Sequence, residues 1–287
     1  MCDDDIHVGL IHDPTVSRRT FGLLTAAGAA AAAAAARAQA NVVEKDVEVK
    51  TADGTADAVL FHPQGRGTWP AVLIWTDIAG LRPAFREMGR RLAAQGYVVL
   101  VPNPFYRSAR GVVAGEGFNF ANPTDRARVM GYRQAMTNDG VDSDSKAYLA
   151  FLDAQPQTDK RKKAGVQGYC MGGPLSFRTA AAVPGRIGAV ASFHGGGLTT
   201  KNPDSPHLLI PKTNASYLVA VAQNDDAQQP ESKDILKAAF AEAKKTATVE
   251  VYPANHGWCV KGSQVYDEAQ AEKAWAELTK LYKAALA

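Results

Sequence analysis

The chain has 287 residues, a formal net charge of +3 and three cysteines. So small a basic excess gives no field that would draw nucleic acid, and so few cysteines exclude a multi-disulfide scaffold. No cysteine–histidine spacing suits zinc, and no dinucleotide fingerprint or P-loop is present, so neither metal nor cofactor is expected.

In chain order, the first signal is Ser17-Arg18-Arg19-Thr20-Phe21, followed by an uncharged stretch from Gly22 to Ala36, then Arg37 and Ala38-Gln39-Ala40. An arginine pair, a phenylalanine, an apolar run and a small-residue site in that order read as a twin-arginine signal over residues 1–40. The duller reading is a tail or helical anchor. The apolar part, about 15 residues and alanine-rich, is short for a membrane span, so no stable insertion is expected once it is removed. The expected product is periplasmic or secreted by the twin-arginine route. Residues 41–287 then have the length of one domain with one substantial core. Oligomeric state is not legible.

Val42 to Lys50 and Ala56 to His62 alternate weakly around a turn, which predicts an opening antiparallel hairpin. Ala71-Val72-Leu73-Ile74-Trp75 and Tyr97-Val98-Val99-Leu100-Val101 are continuous apolar runs, as expected of strands covered on both faces. A helix is predicted between them, from Pro83 to Gln95. The glycine- and asparagine-rich segment 103–144 reads as an insertion over a site, or as a surface excursion pinned down by its aromatics. Beyond it the pattern predicts a helix from Asp144 to Leu152, a strand ending near Gln167, and a helix from Pro174 to Ala182. Strands follow at Ile187–Phe193, Tyr217–Ala222 and Thr248–Tyr252, with helices at Ser232–Lys245 and Gln264–Leu286. Strands alternating with helices indicate an α/β class with a mostly parallel sheet covered on both faces.

The chemistry concentrates at Gly168-Tyr169-Cys170-Met171-Gly172-Gly173, between a strand and a helix. A G-x-C-x-G run there is the cysteine form of a nucleophile elbow, although a merely buried cysteine is the simpler alternative. A thiol nucleophile needs a base, and the base needs an orienting acid. Asp225 and Asp226 follow one later strand and His256 follows the next, the order nucleophile, acid, histidine of the α/β-hydrolase fold. Either aspartate could instead be a turn former. His194, before three glycines at a strand end, is the rival base.

With these residues in place, the sequence resembles the dienelactone hydrolase family. Gly168 to Gly173 matches that family's G-Y-C-x-G-G elbow, Asp77-Ile78-Ala79-Gly80 is similar to its E-I-F-G turn, and Leu92 to Tyr97 looks like its helix-to-strand passage. The resemblance implies an α/β-hydrolase fold, Cys170 as nucleophile, His256 as base and Asp225 as orienter. It also implies an oxyanion hole from the backbone N–H groups of Ile78 and Met171. Asp77 stands where the family has a glutamate that helps switch the thiol to thiolate. Pro102-Asn103-Pro104-Phe105-Tyr106-Arg107 resembles a stretch that places Arg107 on a substrate carboxylate, with a solvated surface charge as the alternative. The second carboxylate-binding arginine has no match in Gly257 to Lys261, where Trp258 suggests a more apolar pocket. The implied activity is hydrolysis of a small ester or lactone without a cofactor. A redox or binding protein using Cys170 and Cys259 as reversible thiols is the alternative from another class.

Overall fold

The computed structural model describes residues 41–115 and 117–287. The predicted signal lies outside the described residues. Val42–Ala287 forms one compact unit around a single eight-stranded sheet. The opening hairpin is β1 (Val42–Thr51) and β2 (Gly54–Pro63), paired antiparallel in register from Val42 opposite Pro63 to Thr51 opposite Gly54. After it come β3 (Ala71–Trp75), α1 (Pro83–Ala94), β4 (Val98–Pro102), α2 (Pro123–Gln134) and α3 (Asn138–Ala154). The second half runs β5 (Ala164–Tyr169), α4 (Gly172–Ala182), β6 (Ile187–Phe193), a 3-10 turn (Pro206–Lys212) and β7 (Ser216–Ala222), and then α5 (Gln223–Gln228), α6 (Ser232–Glu242), β8 (Ala247–Tyr252) and α7 (Glu268–Ala285). The spatial order is β1-β2-β4-β3-β5-β6-β7-β8, antiparallel as far as β4 and parallel from there onward.

Strand alternation explains why the central strands are apolar throughout. In β3, Val72 and Ile74 join the layer under α1 and α7 with Phe85, Leu92, Leu278 and Tyr282. Leu73 and Trp75 point the other way, into the layer under α3, α4 and α6 with Tyr148, Leu175, Phe177 and Phe240. Both faces are therefore buried, as a parallel sheet requires.

The structure departs from the sequence pattern mainly at helix ends and inside the insertion. α3 begins at Asn138, six residues before the predicted Asp144, because the Thr137 hydroxyl accepts the Gly140 N–H at 3.1 Å and caps the first turn. α7 begins at Glu268 rather than Gln264, where Asp267 accepts the Gln270 N–H at 3.0 Å. α2 and α5 were not foreseen. α2 buries only Val129, so it carries no apolar periodicity to read. Every parallel strand ends on the same edge, and the segments following β3, β5, β6, β7 and β8 meet there, which is where such sheets bind ligands.

Candidate active site

Between the last residue of β5 and the first of α4 the chain has only Cys170 and Met171 in which to reverse. Cys170 takes φ 52°, a left-handed conformation that costs a residue with a side chain about 1–2 kcal/mol. Its N–H donates to the Phe193 carbonyl at 3.0 Å, and its carbonyl accepts the Gly173 N–H at 3.1 Å. Neighbouring glycines make the turn possible. A Cβ at Gly168 would lie 1.8 Å from the Gly172 carbonyl oxygen, and one at Gly172 would lie 2.5 Å from that of Trp75. Cys170 opens onto a cleft of about 870 Å³ that Asp77, Ile78, Met171 and His256 also line.

His256 reaches the cleft from the loop after β8. Its backbone N–H donates to Asn224 Oδ1 at 2.8 Å, and its Nδ1 lies 2.7 Å from Asp225 Oδ2. The two candidate acids sit in the first turn of α5, where adjacent side chains diverge by about 100°. Asp225 thus faces His256, while Asp226 accepts from Lys233 Nζ at 2.7 Å. Burial pulls the His256 pKa down. The hydrogen bonds to Asp225 and Cys170, with the electrostatic attraction of the same two groups, outweigh that and raise it to about 10. A raised imidazole pKa stabilises the fold fully below its unfolded value of about 6.5 and loses that contribution as pH climbs through the folded value.

The rival base, His194, is buried, at 1% exposure, with φ 40° and its ring 4.7 Å from that of His256. Neither ring nitrogen has a hydrogen-bond partner among the described residues, and no carboxylate orients it. Burial, together with the neighbouring His256, pushes its pKa well below the ordinary imidazole value, so it stays neutral. Ile78 and Met171 line the cleft, and among the described residues neither backbone N–H is used in a hydrogen bond. Thiol, imidazole and carboxylate in series can move a proton, and two unspent N–H groups beside the thiol can hold an oxyanion.

Three residues singled out in the sequence are engaged elsewhere than on Cys170 or a substrate in this structure. Asp77 lines the cleft, but both its oxygens are held by Arg82, at 2.5 and 2.7 Å, and one also accepts the Ala79 N–H at 2.9 Å. It shapes the turn and makes no hydrogen bond to Cys170. Arg107 does not line the cleft. The Asp144 side chain is only 2% exposed, and a buried carboxylate requires a partner. Arg107 supplies it with bonds of 2.7 and 2.9 Å, and also binds Asp53. Trp258 is fully buried behind His194, edge-on at 5.2 Å, and is stacked on Tyr252. It does not line the cleft either.

Sequence reasoning missed Arg82, Asn224 and Arg133. Arg133 enters the cleft from α2, and its side chain bonds only to the Met136 carbonyl, at 3.1 Å, among the described residues. Only its place inside the suspected insertion pointed to it.

The model of the dienelactone hydrolase family matches residues 56–286. The carboxymethylenebutenolidase of Pseudomonas sp. (strain P51) is 28% identical over 219 residues, covering 76% of this chain and 86% of that one. Two solved structures share the fold. One is a dienelactone hydrolase-like promiscuous phosphotriesterase from metagenomic libraries, with TM-score 0.70 and 21% identity over 86% of this chain and all of that one. The other is a dienelactone hydrolase from Anabaena variabilis, with TM-score 0.62 and 18% identity over 86% of this chain and 100% of that one.

The paired imidazole should be visible in an NMR titration. The His256 ring is expected to keep its proton through neutrality and to lose it near pH 10. Asp225→Asn should move that midpoint down toward the unperturbed value of about 6.5, whereas Asp226→Asn should leave it in place. A wild-type midpoint near 6.5, or a shift on replacing Asp226 alone, would contradict the pairing.

Proposed function

We propose, from the premise that this chain belongs to the dienelactone hydrolase family, that it is an ester and lactone hydrolase whose nucleophile is Cys170, with His256 as base and Asp225 as orienter. The observation that carries the reading is Cys170 on the elbow turn beside an imidazole bonded to a carboxylate at 2.7 Å. The Cys170 thiolate attacks the carbonyl carbon, a C–S bond forms, and the oxygen takes the electron pair. The N–H groups of Ile78 and Met171 serve that developing charge better than the ground-state carbonyl. Collapse breaks the C–O bond, and the protonated His256 passes its proton to the leaving alkoxide. Once the thiolate charge is spent in the thioester, one cause of the raised His256 pKa is gone, and the ring can take a proton from attacking water. The water oxygen bonds to the carbonyl carbon, and collapse of that adduct breaks the C–S bond, releasing the acid product and restoring the thiolate beside protonated His256. These steps draw on the chain's own residues, in one domain over residues 41–287.

The thiol-exchange alternative has less support. Cys259 is buried, and burial pushes its thiol pKa well above the ordinary value, which disfavours the thiolate that exchange needs.

A carboxylate on the substrate finds a cation in Arg133 rather than Arg107. Burial lowers the Arg133 pKa without any described acid to offset it, so its guanidinium is a desolvated charge facing the cleft. The twin-arginine order at Arg18 and Arg19 supports export to the periplasm or beyond.

Cys170→Ala should abolish hydrolysis of aryl esters and unsaturated lactones while the fold is retained by circular dichroism. Full turnover by that variant would end the mechanism. Arg133→Gln should lower kcat/KM for a carboxylated lactone by about 10- to 150-fold relative to its methyl ester, the worth of one charge-assisted pair. Equal losses on both substrates would remove the carboxylate assignment. Replacing Arg18 and Arg19 by lysine should leave the unprocessed precursor in the cytoplasm. Normal export of that form would show that the pair is not read.

A further inference from the structure

The cleft is larger and more apolar than a small lactone requires. Among the described residues, six large hydrophobic side chains are exposed, and three of them, Phe120 at 43%, Met130 at 40% and Val265 at 38%, converge on the opening where Cys170 lies. Scattered exposed apolar groups need no explanation, but a cluster around a reactive side chain marks a binding surface. Phe118 joins the same wall, and about 870 Å³ falls in the range that holds drug-sized ligands rather than a single small ring.

This wall has its own structural origin. Phe118 and Phe120 stand in the turn before α2, and Met130 projects from α2 one turn before Arg133. The Asn122 side chain caps the helix, accepting the Thr124 N–H at 2.9 Å and the Asp125 N–H at 3.3 Å, so the wall is built and not merely loop. α2 contributes only Val129 to the buried interior, leaving Met130 and Arg133 to the cleft. Phe118, Phe120 and Met130 belong to neither the elbow, the imidazole loop nor the oxyanion turn.

We propose that the stretch 118–130 is the specificity element of the cleft and that it receives a bulky apolar acyl or alcohol group of six carbons or more. The inference rests on the hydrolase reading, whose nucleophile lies on the same cleft, but it concerns which ester is taken. Each fully buried methylene is worth about 0.8 kcal/mol, or about fourfold in binding. Only part of a chain needs burying for a large preference.

The test is kcat/KM for two neutral series, 4-nitrophenyl esters from acetate to octanoate and phenyl-acetate-type esters with lengthening alcohols, each divided by its hydroxide-catalysed rate. In one series the longest member should exceed the shortest by at least about tenfold, chiefly through a lower KM. Phe120→Ala combined with Met130→Ala should cut that ratio by at least about fivefold. A flat or falling profile in both series, or a ratio that survives the double substitution, would overturn the proposal. Equilibrium binding of 4-nitrophenyl octanoate and acetate to Cys170→Ala reads the same preference without turnover. If no ester is hydrolysed but octanoate binds at least tenfold tighter, the catalytic reading fails and the apolar site stands. If the two bind equally and the long-alcohol ester binds no tighter than the short-alcohol one, the apolar site fails on its own account.

Discussion

A reversal of the backbone within two residues, Cys170 and Met171, governs the rest of this structure. The turn is possible because β5 and α4 approach more closely than any side chain would allow. A Cβ at Gly168 would meet the Gly172 carbonyl oxygen at 1.8 Å, and one at Gly173 would meet the Gly195 Cα at 2.6 Å. The same contacts draw the ends of β3 and β6 against the turn, which brings the Ile78 segment and His194 to the thiol. Strain at Cys170 is held in place by hydrogen bonds to β6 and α4 rather than relaxed, as expected where function depends on the exposed conformation.

Around that turn, acids and bases are sorted into separate pairs. Asp225 takes His256, Asp77 takes Arg82, Asp226 takes Lys233, and Asp144 takes Arg107. The sorting leaves His256 as the imidazole with a carboxylate partner facing Cys170. It also leaves His194 neutral beside it, so that two adjacent rings do not both carry charge. Burying both His194 nitrogens without partners costs free energy, of order 1–3 kcal/mol for an unsatisfied polar group. The fold carries that cost in the wall behind His256.

The parallel strands, the elbow and the order of cysteine, acid and histidine were legible because each depends on local sequence. A strand covered on both faces must be apolar throughout, and a turn too close for a Cβ must be glycine. The remainder depends on distant partners. Nothing near Arg107 announces that Asp144, 37 positions away, will be buried and need its charge. Nor could the choice between Asp225 and Asp226 be read without knowing that a helix begins at Gln223 and turns their side chains apart. α2 stayed hidden because its outward residues face a cleft rather than the core. Its one local sign, Asn122 before Pro123, is a helix start that the glycine-rich surroundings obscured.

The central claim is that the elbow thiol forms the covalent intermediate. It is tested most directly by acid-quenching the protein within milliseconds of mixing with a slowly deacylating aryl ester and locating the acyl group by peptide mass spectrometry. The account predicts one acyl group per chain, on the peptide containing Cys170, that forms and decays at the rate of turnover. An acyl group carried on Cys259, on His194 or on no residue at all during turnover would contradict it.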